Sequence, residues 1–302
     1  MPAWWLTPGL RGTAYRGGVR RLTVPRFLAA LVAVASLGAC AHDPTGSASK
    51  WENPAAAGSA LSPSAAAAPT STAAPTAKAA PAGLKVIDYG PAPKGFPADP
   101  AVTSTAMLAE GVHPDQTVTL YDAVGGNPRA LLAPTLSGVT VVVPIVAKQS
   151  GWVAVLLPSV NRTIGWLAPG GWAVVPMTGQ VVVHVSTHQL SYYQSGTLQG
   201  TWTVAVGAAK TPTPLGRTFV LGRSHLSGSV YAGLDVLALG AVPDDPSAVA
   251  TGLSGAHMGI HSWYQSSVFG KDISNGCVRI PKDAQQLLLA HLTAGNEVVV
   301  LP

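Results

Sequence analysis

Cysteine is almost missing from these 302 residues, with only Cys40 and Cys277 present. At most one disulfide is available, so the chain is no disulfide-stapled scaffold. Charge is also scarce, at 10% of residues. That excludes a nucleic-acid binder, which needs a broad basic face. The formal charge of +5 does not supply one, because Arg11, Arg16, Arg20, Arg21 and Arg26 all precede residue 27, where no acid stands. The other 13 of the 18 basic residues face all 13 acidic ones. A long apolar run is missing at the place where one begins. Phe27–Gly38 is about a dozen residues, and a membrane-spanning helix needs roughly 20.

A basic stretch, a short apolar run and then small residues is the layout of a secretory signal. Such leaders start close to their arginines, which makes Val19 a candidate start downstream of Met1. The run ends in Leu37-Gly38-Ala39-Cys40, which resembles the lipobox of bacterial lipoproteins. The resemblance implies removal of residues 1–39, lipid on Cys40, and an anchor on the outer face of the cytoplasmic membrane. Ordinary cleavage near Ala39 or Ala41 is the alternative. With Cys40 lipidated, Cys277 has no disulfide partner in an oxidising compartment. An unpaired thiol there is a candidate nucleophile, the other reading being an inert buried cysteine.

Residues 40–104 are mostly Ala, Pro, Ser, Thr and Gly and lack an amphipathic period, so they read as a disordered tether from membrane to wall. Residues 105–177 carry short β-rich runs (Thr117–Tyr121, Gly138–Val146, Trp152–Leu157, Thr163–Leu167) separated by turn residues. That spacing predicts a small all-β unit. Gly151–Pro158 and Gly165-Trp-Leu167 resemble bacterial SH3-like segments, and an immunoglobulin-like sandwich is the alternative. Trp152 and Trp166 read as its core rather than as saccharide binders. Residues 179–302 form a second β-rich unit with strands at Val181–Val185, Thr203–Val206 and Phe219–Gly222. One helix starts near Pro281, with Ala284, Leu287, Leu288 and Leu292 on its apolar face, and Glu297–Leu301 closes as a strand. The fold class is mostly β.

The chemistry sits between Met258 and Ile280. A cysteine at neutral pH is only a few per cent thiolate, and a nearby imidazole activates it. His261 precedes Cys277 across a Gly-containing loop, so the chain can fold one back onto the other. Gly276 permits close backbone approach and amides aimed at a developing oxyanion. Arg279, two residues on, offers a fixed charge on the same face of an extended segment.

Ile260-His261, the spacer, and Ser274-Asn275-Gly276-Cys277-Val278-Arg279 resemble the signature of the L,D-transpeptidase family with its YkuD-type domain. The likeness spans about residues 180–302. It implies Cys277 as nucleophile, His261 as general base and acid, and Ser262 as a support whose carbonyl orients the histidine. Ser274, Asn275, Gly276 and Arg279 then line or brace the substrate and oxyanion site. Asn275 stands where the family often has histidine. The resemblance also implies a lid over about residues 223–255. The reaction it implies joins peptidoglycan stem peptides by 3→3 cross-links through a cysteinyl thioester. Water is a competing acceptor, giving L,D-carboxypeptidase side activity. Carbapenems are expected inhibitors, and neither cofactor nor metal is required. Two alternatives stand beside it: an inactive wall-binding homologue, and a zinc hydrolase using His257, His261 and Cys277.

Overall fold

The computed structural model describes residues 75–158, 160–225, 228–243, 245–249 and 257–302. The expected signal, Cys40 and the tether up to residue 74 lie outside the described residues. Among the described residues, no helix is long and apolar enough to cross a membrane.

The first β-rich region comprises β1 (Glu110–Pro114), β2 (Val118–Tyr121), β3 (Pro128–Leu132), β4 (Thr135–Leu136), β5 (Val139–Thr140), β6 (Val143–Gln149), β7 (Trp152–Leu157), β8 (Val160–Leu167) and β9 (Trp172–Pro176). Seven of these form one sheet in the order β3-β2-β8-β7-β6-β1-β9. The first residues of β6, Val143 and Pro144, pair with β1 and those from Ile145 onward with β7, where a bulge falls between Ile145 and Ala147. Bulges bend a strand and sharpen its twist, so β6 can serve both halves of one continuous sheet. Every residue of β7 is buried, as its unbroken apolar run requires. Trp152 is fully buried, edge-on to Tyr121.

The second region comprises β10 (Gly179–His184), β11 (Gln189–Gln194), β12 (Thr197–Thr203), β13 (Val206–Gly207), β14 (Gly216–Ser224), β15 (Val236–Leu239), β16 (Gly259–Ser262), β17 (Asp272–Ser274), β18 (Val278–Ile280), helix α1 (Lys282–His291) and β19 (Glu297–Leu301). Its main sheet runs β12-β11-β10-β19-β14-β15-β16-β18, and β13 pairs with β17 beside it. Helix α1 buries Ala284, Gln285 and Leu288, with Leu292 just beyond its end.

Strand β14 explains why the two regions pack as one body. Successive strand residues point to opposite faces. Val220 enters the core beneath the second sheet, while Phe219 and Leu221 enter the core of the first.

Two expectations need correction. Residues 75–104, read as part of the tether, are packed in place. Val86 forms a parallel bridge with Leu131, Ala98 an antiparallel one with Thr163, and Ile87 joins the first core. Asp99 is buried and holds Arg217 of β14 through two hydrogen bonds of 2.6 and 2.8 Å. Composition hid this because a few apolar and charged residues do the anchoring within an Ala/Pro background. The lid range also shrinks: β15, inside the expected lid, is a buried strand between β14 and β16. Val236-Leu-Ala-Leu239 can bury its side chains there, which a solvated loop could not offer.

Candidate active site

The parallel pairing of β16 with β18 sets Ile260 opposite Val278 and His261 opposite Arg279. Cys277 stands one residue before β18, so it comes within about one strand spacing of the histidine's strand. Gly259, two residues before His261, falls beside Cys277 one step down the same pairing, and its backbone amide acts to lower the pKa of the thiol. His261 is buried, and its Nδ1 lies 2.9 Å from the carbonyl oxygen of Ser262. A carbonyl only accepts, so Nδ1 carries the proton and Nε2 is left as the basic nitrogen. The Ser262 hydroxyl donates to the Tyr231 carbonyl in the turn Ser229–Tyr231, whose ring meets His261 edge-on at 4.9 Å. Ser262 thus ties the histidine's strand to what remains of the lid.

Burial lowers the His261 pKa to about 4, the Ser262 carbonyl opposes that shift, and the Arg279 charge adds to it. Burial also pushes the Cys277 thiol up, against the Gly259 amide and the Arg279 charge. The resting pair at neutral pH is therefore a thiol beside a neutral imidazole. No standing ion pair is favoured, so use of this sulfur as a nucleophile would require its proton to pass to Nε2 during the attack.

The turn before the cysteine is braced by Ser274. Its buried hydroxyl donates to the Cys277 carbonyl at 2.5 Å and accepts the Gly276 amide at 3.1 Å. Its own carbonyl receives the Ala208 amide and the Thr211 hydroxyl, each at 2.9 Å. Gly276 has φ +104°, and a Cβ there would lie 2.6 Å from the Met258 sulfur. Only glycine fits that position. One expectation changes as a result. The Gly276 amide is engaged by Ser274, so it is not free to serve as an oxyanion donor. The Asn275 side chain is exposed.

Arg279 is half-buried, its guanidinium 3.8 Å above the Trp263 ring, with Tyr231 and Tyr264 close enough to act on it electrostatically. Its Nε and the Trp263 indole nitrogen are buried without partners among the described residues. Both atoms are closed to solvent in this arrangement, so neither is presented to a ligand. His257 stacks on Tyr89 at 3.8 Å, whereas His261 packs against Tyr231 and Trp263. Among the described residues, no cluster of three or more His, Cys, Asp or Glu side chains is placed to hold a metal ion.

All seven expected site residues from the second region thus lie on β16, β17, β18 and the turn between β17 and β18, with the Asn275 side chain exposed. Cys40 lies outside the described residues. Sequence reasoning missed Tyr89, Tyr231, Met258 and Gly259. Three of these act through backbone groups or packing, which residue chemistry does not announce, and Tyr89 was hidden in the tether's composition.

Comparison with known proteins bears on the region that holds this site. Residues 178–300 match the model of the YkuD family, the L,D-transpeptidase catalytic domain. The chain is 27% identical over 138 residues to YqjB of Bacillus subtilis, which is provisionally described as an L,D-transpeptidase; the match covers 44% of this chain and 76% of that protein. Among solved structures, L,D-transpeptidase 3 of Mycobacterium tuberculosis aligns over 47% of this chain and 75% of its own, at 14% identity and TM-score 0.34. A mutant of the Enterococcus faecium L,D-transpeptidase aligns over 41% of this chain and 50% of its own, at 18% identity and TM-score 0.32. Structural likeness at these scores carries no weight by itself, and the family match does. Residues 178–300 thus match an L,D-transpeptidase catalytic domain of the YkuD type.

Proposed function

We propose that this chain is an exported L,D-transpeptidase that joins peptidoglycan stem peptides through a thioester on Cys277. The observation that carries the reading is the 2.9 Å contact from His261 Nδ1 to the Ser262 carbonyl. It reserves Nε2 as a base on the strand beside a partly exposed thiol.

Sulfur attacks the carbonyl before the terminal D-Ala of a tetrapeptide stem while Nε2 takes the thiol proton. The C–S bond forms, and the oxyanion meets the Asn275 and Cys277 amides. Collapse breaks the C–N bond, and His261 returns the proton to the departing D-Ala amine. An amine on the third residue of a neighbouring stem then attacks the thioester, giving a 3→3 cross-link and restoring the thiol. Water in place of that amine gives L,D-carboxypeptidase activity. Arg279, steadied on Trp263, suits the stem's carboxylate. A carbapenem presents a strained carbonyl to the same sulfur, so it should leave one drug mass on Cys277. Lipid on Cys40 would hold the enzyme at the outer face of the membrane. Fatty-acid labelling that is lost in Cys40→Ser tests that placement.

The test of the activity is incubation with purified tetrapeptide stems, followed by mass spectrometry of the products. Wild type should release D-Ala and form a 3→3-linked dimer, and Cys277→Ala should do neither. Equal product from Cys277→Ala would end the reading.

A further inference from the structure

Tyr89 reaches the active site from the segment that composition assigned to the tether. Ile87, two residues earlier, is buried in the first core, and its amide donates to the Leu131 carbonyl at 2.8 Å. That anchorage fixes where Tyr89 emerges. Its hydroxyl donates to the carbonyl of Ala241 and accepts the amide of Met258 at 3.0 Å. These two backbone groups flank the loop that leads from β15 to β16, so one hydroxyl clasps both sides of the loop's base. The ring stacks on His257 at 3.8 Å with an interplanar angle of 17°.

What the clasp holds bears directly on the nucleophile. The Met258 side chain fills the space that a Cβ on Gly276 would need, and Gly276 precedes Cys277. The next residue, Gly259, stands beside Cys277 one step down the β16–β18 pairing, and its amide acts on the thiol electrostatically. Without the hydroxyl, a part-buried amide and carbonyl lose their partner, and such groups are costly to leave unpaired. The economical relaxation is movement of Met258 and Gly259, the two residues in contact with the Gly276–Cys277 turn. Burial and the nearby Cys277 raise the Tyr89 pKa to about 12, with the Met258 amide opposing. The hydroxyl therefore keeps its proton, and the clasp stays closed across the working pH range.

We propose that Tyr89 is a positioning residue for Cys277, its hydroxyl fixing Met258 and Gly259 so that the Gly259 amide stays aimed at the nucleophilic sulfur. The inference rests on Cys277 as the nucleophile of the proposed reaction. The groups acting on that sulfur are Arg279 from β18, the Gly259 amide and Tyr89 itself, with His261 on the adjoining strand and Asp88 near His257.

The test uses the full chain carrying Cys40→Ser, in which Cys277 is the sole thiol, with and without Tyr89→Phe. That substitution keeps the ring and its stacking and removes only the hydroxyl. The rate of iodoacetamide alkylation is followed from about pH 6 to about pH 10, together with D-Ala release from stems. Tyr89→Phe should slow alkylation near neutrality by roughly 3- to 10-fold, move the profile up by about half to one pH unit, and converge with wild type at high pH. A residue with a merely structural role would lower the melting temperature and leave this profile in place. An unchanged profile, or faster alkylation at every pH, would overturn the proposal. If wild type releases no D-Ala, the transpeptidase reading fails instead, and the alkylation profiles still decide whether Tyr89 positions the thiol.

Discussion

At the scale of single residues, the site runs on a neutral pair. With the His261 pKa lowered to about 4 by burial, the base is already deprotonated above about pH 5. The acid limb of kcat/KM should therefore fall near pH 4, well below the ordinary histidine range around 6.5. The sign is fixed by the role: the imidazole must be unprotonated to accept the thiol proton, so activity rises with pH through its pKa. An acid limb near 6.5 would contradict the buried, carbonyl-tethered geometry. His261→Gln should cost several orders of magnitude in kcat, measured by D-Ala release, because no base remains to take the proton. Ser274→Ala should cost about 1–3 kcal/mol of stability in urea unfolding, since the Gly276 amide and Cys277 carbonyl both lose its hydroxyl. The catalytic constellation was the most legible part of the chain. Cys277, His261, Gly276 and Arg279 are rare residue types at a demanding spacing, and two paired strands suffice to bring them together. The engagement of the Gly276 amide was not legible, because it depends on where one serine hydroxyl turns.

At the scale of elements, strong patterns read correctly and weak ones did not. Trp152–Leu157 and Glu297–Leu301 were legible as strands because each is a compact, β-rich run. The helix was legible from the proline before it and its apolar period. Glu110–Pro114 and Trp172–Pro176 were missed: both are short and end in proline, and pairing with each other, and of Glu110–Pro114 with β6, places them in the sheet. Val236–Leu239 was missed because Gly- and Pro-rich neighbours made its whole surroundings read as a loop. The segment 75–104 was hidden by composition, although Val86, Ile87, Tyr89 and Asp99 depart from the Ala/Pro background. Asp99 tests the importance of that segment. Asp99→Ala leaves Arg217 charged and only 4% exposed, which should cost about 3–5 kcal/mol in denaturant unfolding. A change under about 0.5 kcal/mol would show that the segment is not anchored as described.

At the scale of the whole molecule, β14 makes two sheets behave as one. Phe219 and Leu221 complete the first core, Val220 the second, and Arg217 clamps the segment that also delivers Tyr89. The two regions should therefore unfold in a single urea transition, with tryptophan fluorescence and far-ultraviolet circular dichroism coinciding. Two separated transitions would mean that β14 does not couple them. The same arrangement ties the segment in front of the second region to it, through Asp99 on Arg217 and Tyr89 on Met258. The central claim is that Cys277 carries the stem as a thioester, and the most direct test is the intact mass of the full chain during turnover. With a tetrapeptide stem and no acceptor, acid quenching should trap a protein heavier by the tripeptide acyl group, and peptide mapping should place that group on Cys277. D-Ala release from an enzyme that never acquires this mass, or an acyl group on any other residue, would contradict the account.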